Sequence, residues 1–442
     1  MADHARSEDP GVQRQLDRLA RLSPGVDTLG LDRIATLLDR LGHPEEALPP
    51  VFHVAGTNGK GSTCAFLRAA LEAAGHVVHV YSSPHLVRFN ERIRLAGRLI
   101  DDARLAALLA RVLDAAEGVS PSFFEVTTAA AFLAFSETPA DACVIEVGLG
   151  GRLDATNVIA APVATGIAQL ALDHQSFLGD TAEQIATEKA GIAKPHAPLL
   201  TQRYPRRVAD RIAATAQAAG AQWLARGEAW DIAAYRGEIH YRDAQGRLAL
   251  PPPRLAGAHQ VSNAGLAIAM LRHQAALPVP AAAMRAAMGW AEWPARMQAL
   301  SGGPLNELLP PGSALWLDGG HNPAAARIVA DHLRGVVAAG QPLHLVMGLL
   351  ANKDATGVLH AFAGRHATVH AVPVPDHAHH APPELAAIAK ANGLTARADA
   401  SVRAALDWIG RHADRRQPPF VLVLGSLYLA GDVLRDNGQL PD

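Results

Sequence analysis

Seven consecutive residues, Gly56-Thr57-Asn58-Gly59-Lys60-Gly61-Ser62, have the makings of a loop that holds phosphate. In such a loop, backbone N–H groups and the start of a following helix face anionic oxygens. Lys60 adds a point charge, and the Ser62 hydroxyl can ligate Mg²⁺. The spelling departs from the common G-x-x-x-x-G-K-[ST] pattern. Two residues, not four, separate Gly56 from the Gly59-Lys60 pair, and Gly61 splits Lys60 from Ser62. A glycine-rich turn with a surface lysine is the plain alternative, but an apolar run precedes the loop and a helix-patterned stretch follows it.

Other reactive groups recur just after apolar runs. Glu146 sits in "ACVIEVG", a run too apolar for an unpaired carboxylate, so it must be paired, protonated or metal-bound. Mg²⁺ beside a triphosphate would satisfy it, and so would an ion pair with Arg152. Ser82-Ser83-Pro84 closes "VVHVYSS"; it reads as a turn or as a source of a serine metal ligand beside the phosphate loop. Asp173 and His174 follow "VATGIAQL", although a lone histidine is more commonly solvated or a satisfied core residue. Lys189 would bring a second cation toward Lys60 and a metal unless it were solvated, turned away or modified.

The elements that must position these groups are strands and crossover helices. Apolar runs alternate with helix-patterned stretches almost throughout, the pattern of a mostly parallel α/β sheet. In such sheets ligands bind beyond the carboxyl ends of the strands, where these polar residues fall. The stretch from Glu228 to Pro253 alternates and turns at Gly237 and Gln245-Gly246, which predicts a short antiparallel excursion. Pro294, Gly302-Gly303 and Pro310-Pro311 then punctuate the chain. Alternation restarts with "ALWLDGG", "LHLVMG", "ATVHAVPV" and "FVLVLGS". The expectation is an N-terminal P-loop ATPase domain over residues 1–296 and a smaller Rossmann-like α/β domain over residues 297–442.

At 442 residues, two domains are the prior expectation. Hydrophobic residues make up 49% and charged residues 19%, the balance of a globular chain. With Lys+Arg 40 against Asp+Glu 42, nothing indicates a nucleic-acid surface or a polybasic membrane patch. No secretory signal pattern and no long uninterrupted apolar span is present. Cys64 and Cys143 fall in apolar segments and read as buried thiols of a cytoplasmic protein. The histidines of Pro373–Leu385 read as a solvated loop, since no acidic or cysteine partner stands at ligand spacing.

The motifs "HVAGTNGKGST", "SSPHLVRFNERI", "FFEVTTAAAF", "EVGLGGRLDATN", "ALDHQSFLGDTAEQIATEKAGI", "WPARMQ" and "LDGGHNP" together resemble the dihydrofolate synthase/folylpolyglutamate synthase family, of the wider Mur ligase superfamily. The resemblance implies an ATP-dependent amide ligase. Its substrates would be dihydropteroate or tetrahydrofolate, L-glutamate and ATP, and it would act as a monomer.

On that resemblance Asn58, Gly59, Lys60, Gly61 and Ser62 hold the ATP phosphates. Ser83, Glu146 and His174, with Ser62, bind two Mg²⁺ ions. Lys189 matches a carbamylated lysine, which would turn the surplus cation into a carboxylate. Asn263, Arg296 and Asp318 go to the nucleotide, with His321 close by, and domain closure would complete that site. The pterin falls to Asp27, Thr28, Leu29 and Gly30, to Ser122, Phe123, Phe124 and Glu125, and to Arg152, Leu153 and Asp154. Thr28 intervenes where relatives have the aspartate directly before Leu-Gly-Leu, so the choice between Asp27 and Thr28 stays open. Phe123 and Phe124 could equally be helix core. The competing readings are a monofunctional folylpolyglutamate synthase, another Mur-type amino-acid ligase, and an ATP-hydrolysing switch.

Overall fold

The structure is a computed structural model that describes residues 5–22 and 29–442. Chain contacts divide it into two units. The first holds the chain up to Arg254, with Gln260–Glu292 and Asp442; the second holds Leu255–His259 and Trp293–Pro441.

The first unit is built on eight strands: β1 (Val51–Ala55), β2 (Val78–Tyr81), β3 (Ile93–Leu95), β4 (Arg98–Leu99), β5 (Ala142–Glu146), β6 (Ala164–Ile167), β7 (Pro198–Thr201) and β8 (Gln222–Ala225). Their order in the sheet is β4-β3-β2-β5-β1-β6-β7-β8. Strands β1, β2, β5, β6, β7 and β8 pair in parallel, while β3 and β4 form an antiparallel edge. Strands β1, β2, β5 and β6 are buried at every position, which is why they read as continuous apolar runs.

One expected neighbour relation fails. Strand β5 lies between β2 and β1, so the Ser82-Ser83 turn is one strand removed from the phosphate loop rather than adjacent to it. From β1 the chain crosses to β2 on one flank and later places β6 on the other. Such a reversal is where open α/β sheets bind ligands. The register pairs Val54 with Glu146 and Ala55 with Ile167, aligning the ends of β5, β1 and β6.

The expected antiparallel excursion is a three-stranded sheet, β9 (Trp230–Tyr235), β10 (Glu238–Asp243) and β11 (Gly246–Leu250), in the order β11-β10-β9. Beneath the main sheet, the helix Phe123–Ser136 is apolar nearly all round and buried along most of its length.

The second unit is a six-stranded sheet of order β12-β13-β17-β14-β15-β16. Its strands are β12 (Gln298–Leu300), β13 (Ala314–Leu317), β14 (Leu343–Met347), β15 (Ala367–Ala371), β16 (Thr395–Ala398) and β17 (Phe420–Leu424). All neighbours pair in parallel except β12 with β13. The α/β class inferred from the alternating runs is the class observed. Among the described residues no helix is long and apolar enough to cross a membrane.

Candidate functional site

Strand β1 runs directly into the glycine-rich loop, and the helix Lys60–Ala73 begins at its lysine. Gly59 precedes that helix at φ 85°, in the left-handed region, and a side chain there would collide with the Asn263 amide. Asn263, on the helix His259–Arg272, is thereby placed against the loop, and its amide donates to Gln260 Oε1 at 2.9 Å. The backbone N–H groups of Thr57 and Asn58 donate to the Gln169 carbonyl beyond β6, at 2.9 and 3.1 Å. The Thr57 hydroxyl adds a bond to Ala171 O at 3.0 Å. These bonds tie the loop to the segment carrying Asp173 and His174.

The Lys60 ammonium reaches toward β5, and its Nζ lies 3.9 Å from Glu146 Oε1. Glu146 is only 4% exposed. The alternative pairing of Glu146 with Arg152 is not what forms, for Arg152 bonds Glu188 Oε1 at 2.8 Å through a largely exposed side chain. Ser62 is buried at the helix start, and Ser83 follows β2 next to a cis Ser83–Pro84 bond. His174 stands at φ 52°, its N–H bonded to Asp173 Oδ1 at 2.9 Å, with a partly exposed ring. Ser62, Ser83, Glu146 and His174 therefore all stand at the carboxyl ends of four neighbouring strands. Two hydroxyls, a carboxylate and an imidazole are a donor set suited to Mg²⁺ or Mn²⁺.

Lys189 is buried on the helix Ala182–Ala190, and its Nζ donates to the Gly56 carbonyl at 3.1 Å. Burial, then the charge of Lys60, pushes its ammonium down to about 7 against the pull of Asp173 and Asp154. The lysine is therefore neither solvated nor turned away from the phosphate loop.

The expected pterin residues divide. Asp27 and Thr28 lie outside the described residues; Leu29 and Gly30 precede the helix Asp32–Arg40. Ser122 and Glu125 form a capping box at the start of the helix Phe123–Ser136. Glu125 also pairs with Arg33 at 3.0 Å, a partner the sequence reading did not pick out. Phe124 packs its ring over Gly148 and stands 5.9 Å from Tyr81, while Phe123 turns toward Phe89 at 5.9 Å. The Arg92 guanidinium lies 5.4 Å from both the Phe89 and Phe123 rings. Leu153 lies in the same loop as Arg152 and Asp154. Asp154 is buried, its carboxylate accepting from Leu149 N at 2.8 Å and Thr156 N at 3.1 Å.

In the second unit, Asp318 follows β13 and holds the segment around Arg296. Its Oδ2 accepts from Met297 N at 2.8 Å and its Oδ1 from Gly320 N at 2.7 Å. Ala295 and Met297, flanking Arg296, stand at φ 55° and 43°, and the Gly319 N–H to Ala295 O bond of 2.9 Å braces them. His321 Nδ1 lies 3.2 Å from Gly319 O. Capping of the helix Pro323–Val336 falls to Asn322, whose side chain accepts from Ala325 N. The histidine loop is largely exposed, at Pro375, Asp376, Ala378 and Ala381, while its histidine rings are only partly so. His377 stacks on Tyr428 at 3.8 Å and His380 contacts Lys353 O at 3.0 Å, so the rings anchor the loop to protein groups.

Comparison with known proteins decides the family. The profile of dihydrofolate synthetase C-terminal domains matches residues 306–436. The dihydrofolate synthase/folylpolyglutamate synthase of Escherichia coli K12 is 38% identical over 347 residues, covering 78% of this chain and 77% of that one. The chain belongs to the dihydrofolate synthase/folylpolyglutamate synthase family. A solved structure described as E. coli FolC in complex with DHPP and ADP superposes with a TM-score of 0.86 at 32% identity, covering 97% of each chain. A bifunctional folylpolyglutamate synthase/dihydrofolate synthase with Mn, AMPPNP and L-glutamate bound superposes at 0.83, with 32% identity over 96% of this chain and 97% of that one. This member of the dihydrofolate synthase/folylpolyglutamate synthase family is an ATP-dependent ligase with the Mur-ligase fold, and nucleotide and divalent metal belong to its chemistry.

Proposed function

We propose that the protein joins L-glutamate to dihydropteroate, giving dihydrofolate, and to reduced folates such as tetrahydrofolate. The observation that carries this reading is the meeting of Lys60, Glu146 and Lys189 at one shortened phosphate loop. A carboxylate does not couple to an amine unaided, because its oxygen is a poor leaving group. The γ-phosphoryl of ATP passes to the pteroate carboxylate with cleavage of its bond to ADP, giving an acyl phosphate. The glutamate amine then attacks the carbonyl carbon and phosphate departs.

Asn58, Gly59, Lys60, Gly61 and Ser62 cradle the phosphates, with the Lys60 charge set against the phosphoryl oxygens. Ser62, Ser83, Glu146 and His174 would hold Mg²⁺, as two ions, which supplies further neutralisation of phosphoryl charge. Lys189, carried as a carbamate, would place an anion where an ammonium would oppose Lys60. Asn263, Arg296 and Asp318 go to the nucleotide, and glutamate binding to the C-terminal domain expected over residues 297–442. Phe123, Phe124, Ser122, Glu125, Arg152, Leu153, Asp154 and the stretch Asp27–Gly30 go to the pterin. His321 and Asp173 are the candidate acceptors for the proton that the glutamate ammonium must shed. The same reading takes the protein as a cytoplasmic monomer, in keeping with its two buried free thiols.

The test supplies ATP, Mg²⁺ and glutamate with dihydropteroate or tetrahydrofolate in separate reactions and identifies the products by mass. Products from both acceptors are expected. Activity with tetrahydrofolate alone rejects dihydrofolate synthesis, and phosphate release without acceptor or glutamate rejects the ligase reading in favour of a switch.

A further inference from the structure

His53 is fully buried in the middle of β1, three residues before the phosphate loop begins, and nothing in the reaction above uses it. Its Nε2 lies 2.8 Å from the Thr156 hydroxyl. That hydroxyl is also in a short hydrogen bond with Asp154 Oδ1, and the Thr156 N–H reaches the same oxygen at 3.1 Å. A hydroxyl has one proton, and a carboxylate can only accept, so Thr156 donates to Asp154 and accepts from His53. This order fixes the His53 tautomer with its proton on Nε2. Burial, with the nearby Lys194 charge acting the same way, pushes the His53 imidazolium down to about 3, so the ring stays neutral wherever the enzyme works.

The loop fastened by this relay touches two parts of the proposed site. At one end Asp154 Oδ2 holds Leu149 N at 2.8 Å, beside Gly148, where a Cβ would fall 2.7 Å from a Phe124 ring carbon. At the other, Gly151 is pressed so close to the Lys189 helix that a Cβ would fall 2.7 Å from Glu188 O, and Arg152 N donates to that carbonyl at 2.8 Å. Lys189 in turn reaches the phosphate loop at Gly56 O. One short loop is thus wedged between the Phe124 ring and the helix that carries Lys189.

We propose that His53 and Thr156 are positioning residues for the ligation, holding through Asp154 the loop that sets Phe124 and Lys189 relative to the phosphate loop. The Asp154 carboxylate, which the reading above gives to the pterin, is held in place by the same bonds. The inference rests on the ligase reading of the same site.

The variants Thr156→Val, Thr156→Ser, Asp154→Asn and the double variant T156V/D154N separate these roles, with kcat and KM measured for dihydropteroate and for ATP. T156V removes the hydroxyl at nearly constant volume and is expected to lower kcat roughly 10- to 100-fold, the range for groups that orient a reacting residue. T156S restores most of that loss. D154N lowers kcat at least as far, and the double variant is no worse than D154N alone, as members of one network behave. Should T156V lose its fold in a thermal melt, His53→Gln carries the same comparison and is expected to lower kcat as well. The proposal is overturned if D154N raises KM for dihydropteroate while T156V and H53Q match the wild type, or if the T156V and D154N effects simply add. Failure of the wild type to ligate glutamate to any pterin would instead reject the ligase reading.

Discussion

Lys60 Nζ stands 3.9 Å from Glu146 Oε1, a separation set by the parallel register that pairs Val54 with Glu146. The lysine begins the helix after β1 and the carboxylate ends β5, so neighbouring strand ends bring the pair together. Lys60→Met should lower kcat roughly 10²–10³-fold, the scale for losing one fixed group that stabilises developing charge. Glu146→Gln keeps the volume but removes the charge, and should raise the Mg²⁺ concentration needed for half-maximal rate. A thermal scan reads the folding cost of each change, and the rates are compared at a temperature where both variants are folded. An E146Q enzyme with an unchanged Mg²⁺ requirement would remove Glu146 from the metal set.

Lys189 offers a second test. Its ammonium is pushed down to about 7, by burial first and the Lys60 charge second, so above that pH it is mostly a neutral amine. A neutral amine adds CO₂ to give a carbamate and releases a proton. Enzyme stripped of CO₂ at pH 8 should lose activity and regain it with bicarbonate, and labelled bicarbonate should give a carbamate carbon signal. Lys189→Ala should abolish turnover, with partial rescue by short carboxylic acids. Full activity in the alanine variant would sink the carbamate.

The phosphate loop, Glu146 and the strands that carry them were legible because fully buried parallel strands leave continuous apolar runs. Strands β7 and β8 were not, since "PLLT" and "QWLA" are short and carry no clear period. Sheet order is equally silent in one sequence: nothing in "VVHVYSS" says that β5 inserts beside it. His53 and Thr156 were missed for a related reason. Their spacing of 103 residues has no local signature, and the only signal was a histidine inside an otherwise apolar strand. Arg152 was weighed against Glu146, but the fold turns it to Glu188 on a helix the sequence reading had not paired with it.

Arg272 and Asp243 give a stability prediction away from the chemistry. The Asp243 side chain is enclosed by its partners on β10, bonded by Arg272 Nε and Nη2 and by the Tyr241 hydroxyl at 3.0 Å. Burial pushes its carboxyl up, but the Arg272 hydrogen bonds and charge outweigh burial and hold it below the usual range. Asp243→Asn takes the anion from a partly buried guanidinium and should cost about 1–3 kcal/mol of stability by urea unfolding. Because the folded pKa lies below the unfolded value of about 3.9, the stabilisation is present above that pH and is lost as pH falls through the folded value. The gap between D243N and wild type should therefore narrow below about pH 4, and kcat at a temperature where both are folded should be unchanged.

Acid should act on the second unit through a histidine pair. His344 Nδ1 lies 3.0 Å from His370 Nε2, and His370 Nδ1 lies 3.0 Å from Asp399 Oδ2, which also accepts from Arg397 Nε at 3.1 Å. Trp408 closes the cluster, with Arg397 4.2 Å above its ring and His412 stacked at 4.1 Å. Burial, then the neighbouring His370, pushes the His344 imidazolium down to about 4. An unfolded histidine titrates near 6.5, so between that pH and about 4 the unfolded chain binds more protons than the folded one. Stability must then fall as pH drops across this window. The melting temperature of the wild type should decline from pH 6.5 to 4, and His344→Asn should decline less steeply while keeping its activity at pH 8. Identical slopes for the two proteins would show that His344 takes up its proton in the folded state as readily as in the unfolded chain.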